Sequence, residues 1–226
     1  MDNRLKFISG LVSNGCRVAD IGTDHSYLPI FLMRNNICKS VIATDIREKP
    51  LSVAKKNVEK SGQKSIDLRL SDGLDLISPD EVDEIIIAGM GGEVISDIID
   101  RADWVKTQKK RLILQPMSRS EDLREFLFRN GFQIITERAV SSDGRIYTVI
   151  VTEYSGKPFD YTDIDLCLGK LTDNIGEDEK RYIEWRRRVL FEKSQKIRNI
   201  ELKQREYRNL EKTVSKIDSI LEEISR

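Results

Sequence analysis

Asp20-Ile21-Gly22-Thr23-Asp24-His25 is the stretch on which the reading of this chain turns. Arg17-Val18-Ala19 precedes it and the apolar run Leu28-Pro29-Ile30-Phe31-Leu32 follows, so a short strand ends in a turn and a helix then begins. In an open α/β sheet, the crevice beyond the carboxyl end of such a strand is where a nucleoside-bearing ligand sits. A glycine at this point lets the backbone approach that ligand with no Cβ between them. A dinucleotide fingerprint needs three glycines, to make room for a pyrophosphate. Here there is one, with an acid on either side, and carboxylates suit a cationic ligand.

Outward from this turn, apolar runs of strand length alternate with amphipathic stretches. Leu5, Ile8, Leu11 and Val12 share one helical face and give a leading helix that Gly15 ends. The strand candidates are Arg17–Ile21, Val41–Asp45, Ile66–Leu70, Glu84–Ala88, Arg111–Gln115, Phe132–Ala139 and Tyr147–Tyr154. Helices are expected over Ser26–Asn35, Lys49–Ser61, Glu93–Arg101 and Arg119–Asn130. Such alternation specifies a parallel sheet with crossover helices. Ser141-Ser142-Asp143-Gly144-Arg145 carries a hairpin turn signal, so the last two strands are expected to pair antiparallel. The expected fold over residues 1–156 is α/β with helices on both faces, and a parallel sheet that finishes in an antiparallel hairpin resembles, by analogy, the class I (Rossmann-like) methyltransferase sheet.

Near Ser155-Gly156-Lys157-Pro158 the pattern changes, and residues 157–226 are expected to form a helical, coiled-coil domain. After Gly176 there is neither glycine nor proline. Glu177, Asp178 and Glu179 supply acids to a first helical turn. Tyr207, Leu210, Val214, Ile217, Leu221 and Ile224 recur by threes and fours, a heptad seam. One helix from 177 to 226 would be about 75 Å long, so the region either projects as an arm or folds back as a hairpin. Between Lys180 and Lys216, thirteen lysines and arginines face five glutamates, with Arg186-Arg187-Arg188 beside Trp185. A cationic helix carrying aromatics suits a phosphate backbone and splayed bases; a solvated coiled-coil face is the alternative.

Lysine and arginine total 38, as do aspartate and glutamate, so the net charge favours no class of partner. Cys16, Cys38 and Cys167 are scattered and form no CxxC pair, which fits a reduced compartment and, with one histidine, argues against a zinc site. The amino-terminal residues lack the apolar core of a signal peptide and no apolar run reaches membrane-spanning length. A cytoplasmic protein with no metal and no membrane partner is expected. A monomer is the expected state, although no motif decides it.

Acids recur at successive strand ends. Asp45 closes the second strand, where it accepts from ribose hydroxyls or caps the helix after Ile46. Asp72 follows the third in Ser71-Asp72-Gly73, where it accepts from an adenine amino group or merely shapes a turn. Together with Asp20 or Asp24 they suit S-adenosylmethionine, which carries a sulfonium and an ammonium. Ala88-Gly89-Met90-Gly91-Gly92 follows the fourth strand and is expected to be a loop facing the donor methyl, where the acceptor lies; it lacks the acid or amide followed by two prolines common in exocyclic amine methyltransferases. Gln115-Pro116-Met117 ends the fifth strand and borders the same opening. Methylation of a ring nitrogen with a free lone pair, such as adenine N1, needs no general base, only alignment and charge stabilisation. No catalytic residue is therefore assigned; His25 and Gln115 are the two candidates.

Val18 through Pro29, Ala43-Thr44-Asp45, Ser71-Asp72-Gly73-Leu74, Ile87 through Gly92 and Leu114-Gln115-Pro116 together resemble the bacterial tRNA (adenine 22-N1)-methyltransferase family. The resemblance covers nearly the whole chain, the C-terminal helices matching in character more than in residues. It implies S-adenosylmethionine as donor, tRNA as partner, and N1 of adenine 22 as acceptor. The candidate cofactor residues are then Asp20, Gly22, Thr23, Asp24, Asp45, Ile46, Asp72, Gly73, Gly89 and Met90. The candidate substrate contacts are Gly91, Gly92, Gln115, Pro116, Arg186, Arg187 and Arg188. Alternatives are a small-molecule methyltransferase with a dimerising arm, a non-catalytic RNA-binding protein and, for want of the pyrophosphate glycines the weakest, a nicotinamide oxidoreductase.

Overall fold

The computed structural model describes residues 1–107 and 110–224. Its elements run α1 (Asn3–Ser9), β1 (Cys16–Ile21), α2 (Tyr27–Arg34), β2 (Cys38–Asp45), α3 (Glu48–Ser61), β3 (Ile66–Leu70), β4 (Glu84–Gly91), α4 (Gly92–Arg101), α5 (Trp104–Thr107), β5 (Arg111–Ser118), α6 (Ser120–Arg129), β6 (Phe132–Ser142), β7 (Arg145–Tyr154), α7 (Asp163–Leu168), α8 (Glu177–Ile197) and α9 (Gln204–Ile224). All seven strand candidates lie within observed strands. The sheet order is β3-β2-β1-β4-β5-β7-β6. Strands β1 to β5 pair in parallel, while β7 is antiparallel to both β5 and β6. Order therefore grows outward from β1 on one side and from β4 on the other, and the switch point, with its crevice, falls between them.

The central strands are apolar on both faces because helices cover both. Ile85, Ile87, Leu112 and Leu114 point into a cluster with Ile95, Ile99, Leu123 and Leu127 of α4 and α6. Their alternates Ile86 and Ile113 join the opposite cluster with Ile8, Leu28 and Leu32 of α1 and α2. This double cover holds the carboxyl ends of β1, β2 and β4 rigidly at one edge.

One expectation needs correction. Gly89 to Gly92 are not a loop: β4 runs through Gly91 and α4 starts on Gly92. Irregular pairing with β5 on either side of Met90 accommodates the glycines inside a strand. Of the two arrangements left open for the C-terminal region, a projecting arm or a fold-back, the structure has the second. It is a hairpin of α8 and α9, broken after Ile197 and resumed through a 3-10 turn at Glu201–Lys203. The Gln204 side-chain amide donates to the carbonyls of Arg198 (2.7 Å) and Ile200 (3.3 Å), satisfying groups that the ending helix leaves open.

The α9 seam is used within the chain. Ile217 is buried with Cys167, Leu168 and Ile183, and Ile220, Leu221 and Ile224 pack around them. The start of α8 docks on β6: the Glu179 carboxylate accepts from Arg138 Nε (2.7 Å) and Ala139 N (3.0 Å), and that of Asp178 accepts from Ser141 N (3.0 Å).

Candidate functional site

A cavity of about 560 Å³ opens at the switch point, a volume within the range of small-ligand sites. All ten residues read as cofactor contacts line it: Asp20, Gly22, Thr23, Asp24, Asp45, Ile46, Asp72, Gly73, Gly89 and Met90. His25 does too. The turn after β1 is tied to β2, because the amides of Gly22 and Thr23 both donate to the Thr44 carbonyl at 2.8 Å. Gly22 has φ +73°, a left-handed conformation that favours glycine, and a Cβ there would also displace the Met90 methyl from its place across the turn. Asp45 is fixed by its neighbours' amides: Asp24 N donates to Oδ2 (3.3 Å) and Arg47 N to Oδ1 (2.9 Å). Asp72 is half exposed and pairs with Arg101 at 2.9 Å.

The deepest acid is Asp20. Burial pushes its carboxyl up to about 6, against a lowering by its hydrogen bond with Thr23 and by the charge of Arg4. Arg4, on α1, was not legible as a site residue, yet it lines the same wall. Its Nη1 donates to Gln115 Oε1 at 2.6 Å, and Gly89 N donates to the same oxygen at 3.1 Å. The cavity thus presents four carboxylates, with Arg4 set deep among them and Arg47 at the rim. Tyr27, Val94 and Ile98 add apolar surface. His25 Nε2 lies 3.6 Å from Asp24 Oδ2, while its Nδ1 is buried without a hydrogen-bond partner among the described residues. No cluster of three His, Cys, Asp or Glu is placed to hold a metal ion, and no helix is long and apolar enough to cross a membrane, both among the described residues.

The residues read as substrate contacts are brought together only in part: Pro116 and Arg186 share a small hollow apart from the cavity. Gly91, Gly92, Gln115 and Pro116 do not line the cavity. Gly92 faces the Arg119 carbonyl, and Gln115 is fully buried with its oxygen spent on Arg4 and Gly89. The arginine triplet splits. Arg186 is buried against Glu121, Arg187 pairs with Asp218 at 2.8 Å, and Arg188 alone is exposed, with no ion pair among the described residues. Helical geometry explains this, since three consecutive residues point 100° apart and cannot share a face.

Comparison with known proteins bears on this cavity. A family model described as a methyltransferase domain matches residues 1–150. The chain is 38% identical over 184 residues to the tRNA (adenine(22)-N(1))-methyltransferase of Bacillus subtilis (strain 168), covering 81% of this chain and 77% of that protein. The chain belongs to the tRNA (adenine(22)-N(1))-methyltransferase family. A crystal structure of a candidate tRNA (m1A22) methyltransferase from Streptococcus pneumoniae is 32% identical and superposes with a TM-score of 0.87 over 98% of this chain and 99% of that one. The same protein in complex with S-adenosyl-L-methionine gives a TM-score of 0.82 at 32% identity, over 96% and 98% of the two chains. Both matches extend into the C-terminal hairpin, so this chain and that protein share the helices as well as the sheet.

Proposed function

We propose that this chain transfers a methyl group from S-adenosyl-L-methionine to N1 of adenine 22 in tRNA. One observation carries the reading: Asp20, Asp45 and Asp72, from three successive strand ends, converge with Gly22 on one cavity, in a member of this family. The donor set fits a cationic nucleoside. Asp45, held by two backbone amides, keeps its carboxylate turned to the ribose hydroxyls. Asp72 accepts from the adenine amino group, and Asp20 faces the ammonium. Arg4, a cation among acids, suits the donor's own carboxylate. Bound there, the donor supplies an electrophilic methyl on a sulfonium. The chain's part is to align that methyl with the base and keep water out, since the N1 lone pair attacks without first losing a proton. As the N–C bond forms and the S–C bond breaks, positive charge passes to the adenine, and the acid-lined wall suits it throughout. Gln115, already fully engaged, holds Gly89 and Arg4 in place rather than moving a proton.

Residues 1–156 form the catalytic domain in this reading, and 157–226 a helical domain that helps orient tRNA. Because α9 spends its seam inside the chain, a dimerising role for it loses its premise, and a monomer is favoured. The substrate brings with it a cytoplasmic location. Incubating unmodified tRNA with the protein and labelled donor, then digesting to nucleosides for mass spectrometry, tests the activity. The expected product is 1-methyladenosine, abolished by an A22G substitution in the tRNA; a label on another nucleoside overturns the assignment.

A further inference from the structure

The chain has two tryptophans, and they are treated differently. Trp104 packs against the sheet core, whereas Trp185 on α8 is 40% exposed. Its neighbours hold it there. Tyr182 takes the buried slot beneath it, ring centroids 5.3 Å apart and tilted by 57°. The Arg186 guanidinium carbon lies 5.4 Å from its ring centroid. The indole is therefore fixed by a tyrosine and a cation while much of its surface meets solvent.

This indole borders a small hollow of about 90 Å³ shared with Pro116, Met117, Arg119, Tyr147 and Tyr182. Pro116 pairs with Met90, a wall of the large cavity, so the hollow and the proposed methylation site are neighbours on one sheet edge. From β4 across β5 to β7 is two strand spacings, about 10 Å. That is within reach of a nucleotide close to the one being methylated. Around the indole, Arg181 and Arg188 lie exposed one turn away on either side along α8; Arg188 has no ion pair among the described residues, while Arg181 donates to Ser141 Oγ (3.0 Å) and lies 3.8 Å from Asp178.

We propose that Trp185 is a stacking platform for an unpaired tRNA base close to the methylated nucleotide, with Arg188 and Arg181 on the adjoining phosphates. This rests on the tRNA reading above. N1 lies on the Watson–Crick edge, so the acceptor must leave its pair and its stack to react. Its neighbours then lose stacking, which an aromatic platform restores whatever the base. The exposed cations beside the indole disfavour a second copy of the chain as occupant, since a two-fold contact would bring like charges together.

A W104F background leaves Trp185 as the only tryptophan, and with excitation at the red edge, where tyrosine does not absorb, titration with unmodified tRNA is expected to quench its fluorescence. W185A is expected to weaken tRNA binding about tenfold, the scale of one base–aromatic stack, and W185F to stay within about threefold of wild type. S-adenosylhomocysteine affinity and the circular dichroism spectrum are expected to be unchanged in both. Should W104F not fold, the difference in emission between wild type and W185F reports the same event. Unchanged Trp185 emission at saturating tRNA, or W185A binding as wild type does, in a protein that still methylates tRNA, overturns the platform and leaves the function standing. Absence of tRNA binding by the wild type removes both. Emission that shifts with protein concentration alone assigns the surface to self-association and overturns the platform.

Discussion

In the proposed site, Asp20 is where folding and ligand recognition make opposite demands on one side chain. Its carboxyl is buried and pushed up to about 6 from an ordinary 3.8 by desolvation. Between those two values the folded state holds more proton than the unfolded chain, so stability falls as pH rises through the window and the full penalty, about 3 kcal/mol, is present above pH 6. Asp20→Asn is therefore expected to unfold later than wild type at pH 8, by up to that amount in chemical denaturation, and to match it near pH 4. A bound ammonium needs the charged form, so wild-type affinity for S-adenosylhomocysteine should drop as pH is lowered from 7 to 5, while the Asn variant binds weakly with a flat profile. Calorimetry across that range decides it; a pH-independent wild type would mean that the ammonium sits elsewhere. Seven of the ten predicted lining residues were legible because acids and glycines at strand ends are rare enough to notice, and Thr23, Ile46 and Met90 are their chain neighbours. Arg4 was not, because one arginine on a leading helix is lost among 38 cations until the fold closes α1 over the cavity.

Elements were legible wherever periodicity alone set them, and illegible where tertiary contact overrode a local signal. Glycines and a proline near Met90 and Pro116 read as terminators, yet β4 and β5 continue through them because each supplies the other's pairing partner. The hairpin break near Asn199 has no glycine or proline to announce it, and its cap comes from Gln204, on the following helix. Least legible of all is Arg124 of α6 with Glu137 of β6, a fully buried ion pair at 2.6 Å. Arg124 Nη1 also donates to the carbonyls of Leu166 (2.7 Å) and Cys167 (3.2 Å), and Lys170 N donates to Glu137 (3.3 Å), so α7 is clipped to the sheet through one charge pair. Gly169, at φ +55°, lies against both charged groups and leaves no room for a Cβ. Arg124→Met is expected to cost about 3–5 kcal/mol because it strands a buried carboxylate. Adding Glu137→Leu should recover much of that but not all, since the α7 carbonyls keep no donor. Urea denaturation of the two variants measures the difference; a single variant costing under about 1 kcal/mol would show water reaching Glu137.

Across the whole molecule the charges cancel, and the question is where cations remain free to meet a polyanion. Much of the basic stretch is consumed internally: Arg187 pairs with Asp218, Lys193 with Glu206 and Arg186 with Glu121. Arg188, Lys196, Arg198 and Arg205 are exposed and have no ion pair among the described residues. The run of three arginines therefore divides into one fold contact, one hairpin clasp and one candidate phosphate contact, and reversing all three at once would confuse unfolding with lost binding. Separate reversals distinguish them. Arg188→Glu should leave thermal stability and S-adenosylhomocysteine affinity unchanged, weaken tRNA binding, and reduce the slope of log affinity against log salt by about one between roughly 50 and 200 mM. Arg186→Glu should instead lower the melting temperature, because it buries a carboxylate beside Glu121 with no cation between them, and lose tRNA only as it loses structure. Filter binding across the salt series, with a thermal melt of each variant, separates the two effects. An Arg188→Glu slope equal to wild type would take the hairpin out of phosphate contact at this position and leave the sheet edge to hold the RNA.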